Sequence, residues 1–391
     1  MASVVTCIED LRAIARQRVP GPFYDYVDSG SWSESTYRAN EHDLAALNFR
    51  QRVGCDVSNI DVASRMLGAP VTMPVGLAPA GLAGMVHPDG EIHAARAAAR
   101  FGVPYVLSTV SICSIEDLAQ HSPAPFWFQL YVMKDRGFIE RLIERARQAR
   151  CPALVLTMDL PIQGQRHKDI RNGLSVPPRL GIREIASMLA RPRWCAGMLR
   201  TQRRTFGNIV GHADGVGDTL GFSEWVARQF DRTVSWNDVA WLKQRWGGKL
   251  VVKGVMDARD ARHAVEAGAD AVVVSNHGGR QLDGAPASIR ALPAIADAIG
   301  GTAEIHLDGG VRSGQDVLRA LALGADAVML GRAYMYGLGA AGEAGVTRCL
   351  EIVRKELEST MALCGLNRVG DASPDLLTNP YSPFDKQGAS A

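Results

Sequence analysis

Short apolar runs recur along this chain, most of them ending in glycine or a polar side chain. Eight stand out: Val71–Pro79, Val103–Thr109, Phe126–Val132, Ala153–Asp159, Leu250–Val255, Ala271–Asn276, Glu304–Gly310 and Ala327–Arg332. Between most of them lies one amphipathic stretch, such as Asp135–Ala149, Asp257–Ala267 and Ser313–Leu323. Short continuous apolar runs suit buried strands, and the 3.6-residue periodicity between them suits helices. Eight β-then-α units of near-equal spacing predict a (β/α)8 TIM barrel. An N-terminal helical extension, about residues 7–47, precedes it. A doubly wound sheet fits less well, because no GxGxxG follows the first strand. The nearest mimic, Asp214–Gly221 (DGVGDTLG), follows no apolar run.

Composition narrows the class. The chain has 391 residues, 47% of them hydrophobic, enough for a large core. A net charge of +2 argues against nucleic acid as a partner. Seven cysteines without a CxxC pair (Cys7, Cys55, Cys113, Cys151, Cys195, Cys349, Cys364) read as reduced thiols. Glu9 and Asp10 cut short the apolar start, so no signal peptide is expected. Met66–Val86 lacks charge but carries Pro70, Pro74 and Pro79, which rules against a membrane helix there. It reads as a barrel strand and its loop.

One interval is too long for a simple connection. About 76 residues separate Asp159 from the helical pattern starting near Trp236. Within it, residues 177–217 are expected to form a long basic amphipathic loop after strand 4. Pro177–Val210 holds seven arginines against Glu184, interleaved with Leu180, Ile182, Ile185, Met188, Leu189, Trp194, Met198 and Leu199. That mixture suits an anionic membrane surface; a solvated basic loop or an oligomer contact would look similar. The tail from Ser373 is expected to be irregular.

In a barrel the chemistry collects where strands end. The eight ends carry Ala78-Pro79-Ala80-Gly81; Ser108-Thr109; Gln129-Leu130-Tyr131; Thr157-Met158-Asp159, followed by Arg166; Lys253-Gly254; Ser275-Asn276-His277; Asp308-Gly309-Gly310-Val311-Arg312; and Gly331-Arg332. Polar groups at so many ends are not a core pattern, since unpaired buried polar groups are costly. The densest stretch is Ser275–Gly284, SNHGGRQLDG. It holds a proton acceptor (His277) and a fixed cation (Arg280) three residues apart, which suits proton abstraction from a carboxylate-bearing substrate. Gly309-Gly310, Arg312, Gly331 and Arg332 suggest a phosphate site, with a helix start at Ser313. Lys253 reads either as a Schiff-base lysine or as a cation beside a cofactor ring, and His277 with Arg280 favours the second. No metal-ligand spacing is present.

These motifs resemble the FMN-dependent α-hydroxy-acid dehydrogenase/oxidase family. The matching stretches are FYDYVDSG (Phe23–Gly30), FQLYVMKDRGF, LTMDLPIQGQRHKDIRN, VVKGV, SNHGGRQLDG and HLDGGVRSGQDVLRALALGADAVMLGR. Within the family, LSTVSICSIEDLA, WFQLYVMKDRGF and RALPAIADAI are most similar to the membrane-associated L-lactate dehydrogenases. The resemblance implies FMN as cofactor, His277 as base and Asp159 as its partner. It implies Arg280 and Arg166 as the carboxylate clamp, with Tyr26 and Tyr131 completing the substrate pocket. Ala78, Pro79, Ala80, Ser108, Gln129, Thr157, Lys253 and Ser275 would border the flavin ring. Asp308 would hold the ribityl chain, and Gly310, Arg312, Gly331 and Arg332 the phosphate. Gly81 stands where the family's oxidases usually carry alanine, and Val110 where glycolate oxidases carry tryptophan.

The implied reaction is oxidation of an L-2-hydroxy acid, L-lactate first, to the 2-oxo acid. Electrons would pass to a membrane quinone at the cytoplasmic face of the inner membrane, from a peripheral homo-oligomer, a tetramer by resemblance. The alternatives are an (S)-mandelate dehydrogenase, a peroxide-forming oxidase, and a non-redox flavin barrel isomerase.

Overall fold

The computed structural model describes residues 4–174, 181–212, 229 and 231–379. Its centre is an eight-stranded parallel sheet, β3 (Val75–Leu77), β4 (Val106–Ser108), β5 (Trp127–Tyr131), β6 (Ala153–Thr157), β7 (Lys249–Val255), β8 (Ala271–Val274), β9 (Glu304–Leu307) and β10 (Ala327–Leu330). Their order runs β3-β10-β9-β8-β7-β6-β5-β4, and a parallel bridge from Leu77 to Tyr105 closes the ring. All eight sequence-expected strands are present.

Strand alternation divides the apolar residues into two layers. Ala153 and Val155 of β6 point into the barrel with Val251, Val273, Ala327 and Trp127, whereas Leu154 and Leu156 pack outward under the helices. Small and β-branched residues fill the narrow interior, and leucines fill the wider sheet–helix layer. Interior burial at about 25 cal/mol per Å² of apolar surface makes this the main stabilising term.

The first expected strand, Val71–Pro79, is shorter than its apolar run. Val71 belongs to an antiparallel hairpin, β1 (Ser64–Met66) with β2 (Ala69–Val71), turned at Leu67 and Gly68, both at positive φ. Glu304, at the start of β9, accepts from the amides of Leu67 (2.7 Å) and Gly68 (3.3 Å). Met66 and Val71 thereby join the interior cluster at the end of the barrel opposite the strand C-termini.

The N-terminal helical region resolves into Ile8–Arg18, Gly21–Val27 and Ser35–Ala45. The first packs on the last long helix, Arg332–Leu363, which breaks at Ala341–Gly342. The tail is less irregular than its composition suggests: Pro374–Leu376 forms a 3₁₀ turn, and Leu377 bridges to Phe49.

In the long interval the described residues form helices His167–Arg171, Ile182–Leu189 and Pro192–Arg200. The segment expected at 177–217 is described only at residues 181–212. Gly21 donates its amide to Ser187 Oγ (2.9 Å), and Trp194 Nε1 donates to Met85 O (2.8 Å). Arg203 pairs with Asp117 (2.6 Å) and Asp89 (3.2 Å). The segment is therefore not all surface. Asn208 and Ile209 are buried, and Asn208 Nδ2 donates to Ser108 O (3.3 Å) and Ser111 Oγ (3.0 Å).

Candidate active site

The strand C-termini surround a cavity of about 260 Å³. Of the sequence-expected residues, Tyr26, Ala78, Pro79, Ala80, Tyr131, Arg166, Lys253, His277, Arg280, Asp308, Gly310, Arg312, Gly331 and Arg332 line it. Ser108, Gln129, Thr157, Ser275 and Asp159 do not, but each bonds into the network around it.

The His277 backbone is left-handed, φ +58°, an unfavourable conformation for a residue with a Cβ. Ser275 Oγ holds it by accepting the His277 amide at 3.1 Å. The ring's Nδ1 lies 2.9 Å from Asp159 Oδ1. A carboxylate there selects the tautomer with a proton on Nδ1, which leaves the Nε2 lone pair free to accept. Burial pushes the His277 pKa below its usual value, and Asp159 offsets only part of that. Burial alone would raise Asp159, but His277 and Lys253 more than offset it and hold the carboxyl below its usual range. The pair is thus a neutral imidazole backed by an anion, ready to take a proton.

Lys253 is buried at the end of β7. Its Nζ donates to Ser275 Oγ (2.7 Å) and pairs with Asp308 Oδ2 (2.9 Å). Burial would lower its pKa, but Asp308 and Asp159 outweigh burial and keep it charged. Paired with Asp308, it is a fixed cation rather than the depressed-pKa amine that a Schiff base needs. Across the barrel, Ser108 Oγ donates to Gln129 Oε1 (3.1 Å), and Gln129 Nε2 donates to Thr157 Oγ1 (3.0 Å).

The rest of the SNHGGRQLDG stretch pins the N-terminal helices over the barrel mouth. Asn276 and Asn40 exchange two side-chain bonds, 2.8 and 2.9 Å. Gly279 lies at φ +72°, and a Cβ there would sit 2.4 Å from Tyr37 N, so only glycine fits this approach. Asp283 accepts from Ser33, Ser35 and Thr36 at the start of helix Ser35–Ala45. Arg280 Nη1 donates to Tyr26 O (2.5 Å) and Ser29 O (3.0 Å), and its guanidinium covers the Tyr26 ring at 4.7 Å. Its Nη2 is buried with no hydrogen-bond partner. Gln281, which the sequence reading left without a role, ties the loop after β6 to this one. Its Nε2 donates to Asp159 O (2.9 Å) and Ile162 O (2.8 Å).

The cavity's other end is built for an anion. A Cβ at Gly310, φ +84°, would meet Asn40 O at 2.3 Å, whereas a Cβ at Gly331 would meet nothing within 4 Å. Arg312 pairs with Glu41 at 2.7 Å. The Arg332 guanidinium donates to Val27 O (2.9 Å), Ser29 O (2.6 Å) and Gly278 O (2.9 Å), which uses three of its five N–H groups and leaves its charge and one N–H on each Nη. Burial, then Arg280 and Arg312, lower its pKa to about 10, so this end is electropositive enough to favour an added anion. Asp308 Oδ1 is buried on the cavity wall without a partner, an acceptor suited to a polyol hydroxyl. These features fit a flavin mononucleotide: a phosphate by Gly310, Gly331, Arg312 and Arg332, a ribityl chain by Asp308, and a ring over Ala78–Ala80 beside Lys253.

A sequence profile of the FMN-dependent dehydrogenases matches residues 15–379. The chain belongs to the FMN-dependent dehydrogenase family. Its cofactor is FMN. Among its relatives in this family, the L-lactate dehydrogenase of Pseudomonas aeruginosa is 46% identical, over 96% of this chain and 98% of that protein. That of Ectopseudomonas mendocina is 44% identical, over 96% and 99%. Among solved FMN-dependent dehydrogenase structures, the monotopic membrane protein (S)-mandelate dehydrogenase is similar at a TM-score of 0.92 and 35% identity, covering 96% of this chain and all of that one.

The cavity wall also holds residues that strand-end reading missed: Val27, Leu82, Leu160, Gln163, Leu174, Phe206 and Met335. Phe206 follows the basic helices by a few residues, and no local pattern marks it. Only the fold brings it over the barrel mouth.

Proposed function

We propose that this dehydrogenase oxidises an L-2-hydroxy acid, L-lactate first, to the 2-oxo acid. The observation that carries the reading is that His277, bonded to Asp159 behind it, lines one cavity with Arg166 and Arg280. Bound FMN supplies the two-electron acceptor that this oxidation needs. Arg166 and Arg280 bind the substrate carboxylate and orient the α-carbon. His277 Nε2 accepts a substrate proton, and Asp159 stabilises the imidazolium that results. Tyr26 and Tyr131 flank the carboxylate, and Lys253, held by Ser275, would lie beside the bound flavin ring as a fixed cation that favours negative charge there. Ser108, Gln129 and Thr157 fix the ring's polar edge.

The electron acceptor on this reading is a membrane quinone. Ile182, Leu189 and Leu199 are 89%, 70% and 77% exposed, beside exposed Arg183, Arg193 and Arg200. That surface supports peripheral attachment at the cytoplasmic face of an anionic membrane. Among the described residues no helix is long and apolar enough to cross a membrane. The chain is read as one catalytic unit over 1–391, with 177–217 as its inserted segment, assembling as a homo-tetramer.

A second reading, a larger acid such as (S)-mandelate, is favoured by the small Gly81 and Val110 and the apolar Leu160, Leu174 and Phe206 on the wall. Hydrophobic pockets discriminate by about 1–3 kcal/mol per methylene, so some activity on longer acids is expected either way. The test is kcat/KM for L-lactate, glycolate and (S)-mandelate with an artificial acceptor. Lactate should lead; mandelate ahead by about tenfold, or 1.4 kcal/mol, would overturn the substrate and leave the mechanism standing.

A further inference from the structure

Two guanidinium groups, one buried and one half-buried, in one small cavity need an explanation of their own. Arg166 is 7% exposed. Burial lowers its pKa, and the neighbouring Arg280 lowers it further. Both arginines spend donors on neutral acceptors. Arg166 Nε donates to Arg280 O (3.3 Å), and Arg280 Nη1 to the carbonyls of Tyr26 and Ser29. Neither contact cancels charge. Among the described residues, only Asp169 lies within ion-pair distance of either guanidinium, and it lies near both. Its Oδ2 is 3.9 Å from Arg166 Nη1 and 3.9 Å from Arg280 Nη2.

The two distances are informative. At 3.9 Å no hydrogen bond forms, yet the Coulomb attraction, which falls only as 1/r, keeps about 70% of its strength at contact. Asp169 is 5% exposed, its Oδ1 has no hydrogen-bond partner, and Arg280 Nη2 has none. Burial raises its pKa, and the two arginines and a hydrogen bond from Ser29 offset only part of that, because the nearby Asp25 carboxylate adds to the rise. Its place is fixed by the short helix His167–Arg171 and by Leu174, whose amide donates to Asp169 O at 2.9 Å.

We propose that Asp169 is a positioning residue: it balances the charge of Arg166 and Arg280 without taking their hydrogen-bonding edges, which stay available to a substrate carboxylate. With Asp169 ionised, the trio carries one net positive charge, and a bound carboxylate brings it to zero. Without it, two positive charges face each other and repel. Any anion is then held more tightly but less well oriented, and the α-carbon no longer sits correctly for His277. This role rests on the hydroxy-acid reading of the site.

The test compares wild type, Asp169→Asn and Asp169→Glu, each loaded with FMN. Two quantities are read: the anaerobic rate of flavin reduction by L-lactate, and the dissociation constant of propionate, lactate without its hydroxyl, by flavin absorbance. Asp169→Asn should slow reduction by about tenfold or more and tighten propionate several-fold, because a charge is lost from a buried cationic site. Asp169→Glu should restore most of both. Slower reduction with weaker propionate binding would mean mere structural damage and overturn the proposal, as would unchanged kinetics. If no 2-hydroxy acid reduces the wild-type flavin, the proposed reaction fails; the propionate shift still decides whether Asp169 balances the arginines.

Discussion

The floor and the roof of the cavity are built on opposite principles. The floor is the ring of strand ends, where buried Lys253, Asp308 and Ser275 and half-buried His277 and Asp159 are joined by short bonds. The roof is the basic segment, which reaches the cavity through Phe206 and whose helices Ile182–Leu189 and Pro192–Arg200 expose apolar side chains and arginines together. A rigid, water-poor floor holds charges that are strong because they are desolvated. An exposed roof cannot do that, since its charges are screened by solvent. The difference fits the proposed division of labour: chemistry below, membrane docking above. Phe206, Asn208 and Ile209 mark where the two meet.

The largest effect should come from breaking the floor. His277→Ala removes the base and leaves the flavin contacts, so it should keep FMN and lose turnover by about 10²–10⁴-fold. The wild-type pH profile sharpens the same point. The base works neutral, and burial lowers its pKa, so kcat/KM should rise with pH only below the ordinary histidine value, near 6.5. Above that it should be flat with respect to this group, and the rising limb should be absent from any residual rate of His277→Ala. A limb centred well above the ordinary value would mean that Asp159 outweighs burial.

A smaller effect tests the roof. Of the seven arginines, Arg203 is paired with Asp89 and Asp117, and Arg204 is bonded to the Thr201 and Leu199 carbonyls. Arg191 is half-buried, and Arg179 lies outside the described residues. Exposed Arg183, Arg193 and Arg200, on the two helices, are surface charges, each worth about 1 kcal/mol at an anionic leaflet. Changing these three to glutamate should release the protein from anionic phospholipid vesicles, as read by co-sedimentation. Flavin reduction by substrate should be unchanged. A parallel loss of reduction would move part of the chemistry into the roof.

The floor was legible in the sequence because strand ends are short-range signals. A β-branched run followed by Ser275-Asn276-His277 reveals both the strand and its load. The β1–β2 hairpin was not, since Leu67-Gly68 turns the chain inside an unbroken apolar stretch. Phe206, Gln281 and Asp169 were also missed as site residues. Their roles depend on contacts across more than 80 residues of chain or on a distance held by two loops, which no local periodicity encodes. Arg332 was legible as a strand-end residue, but its bonds to the carbonyls of Val27, Ser29 and Gly278 were not, because those segments are distant in the chain.

The central claim is that this floor oxidises a 2-hydroxy acid on bound FMN. The most direct measurement is anaerobic mixing of the FMN-loaded protein with L-lactate and with D-lactate, following flavin absorbance and the pyruvate formed. The account predicts full bleaching by L-lactate with about one pyruvate per flavin, as a two-electron transfer requires, and none by D-lactate. A flavin left oxidised by L-lactate and by every other L-2-hydroxy acid would contradict it.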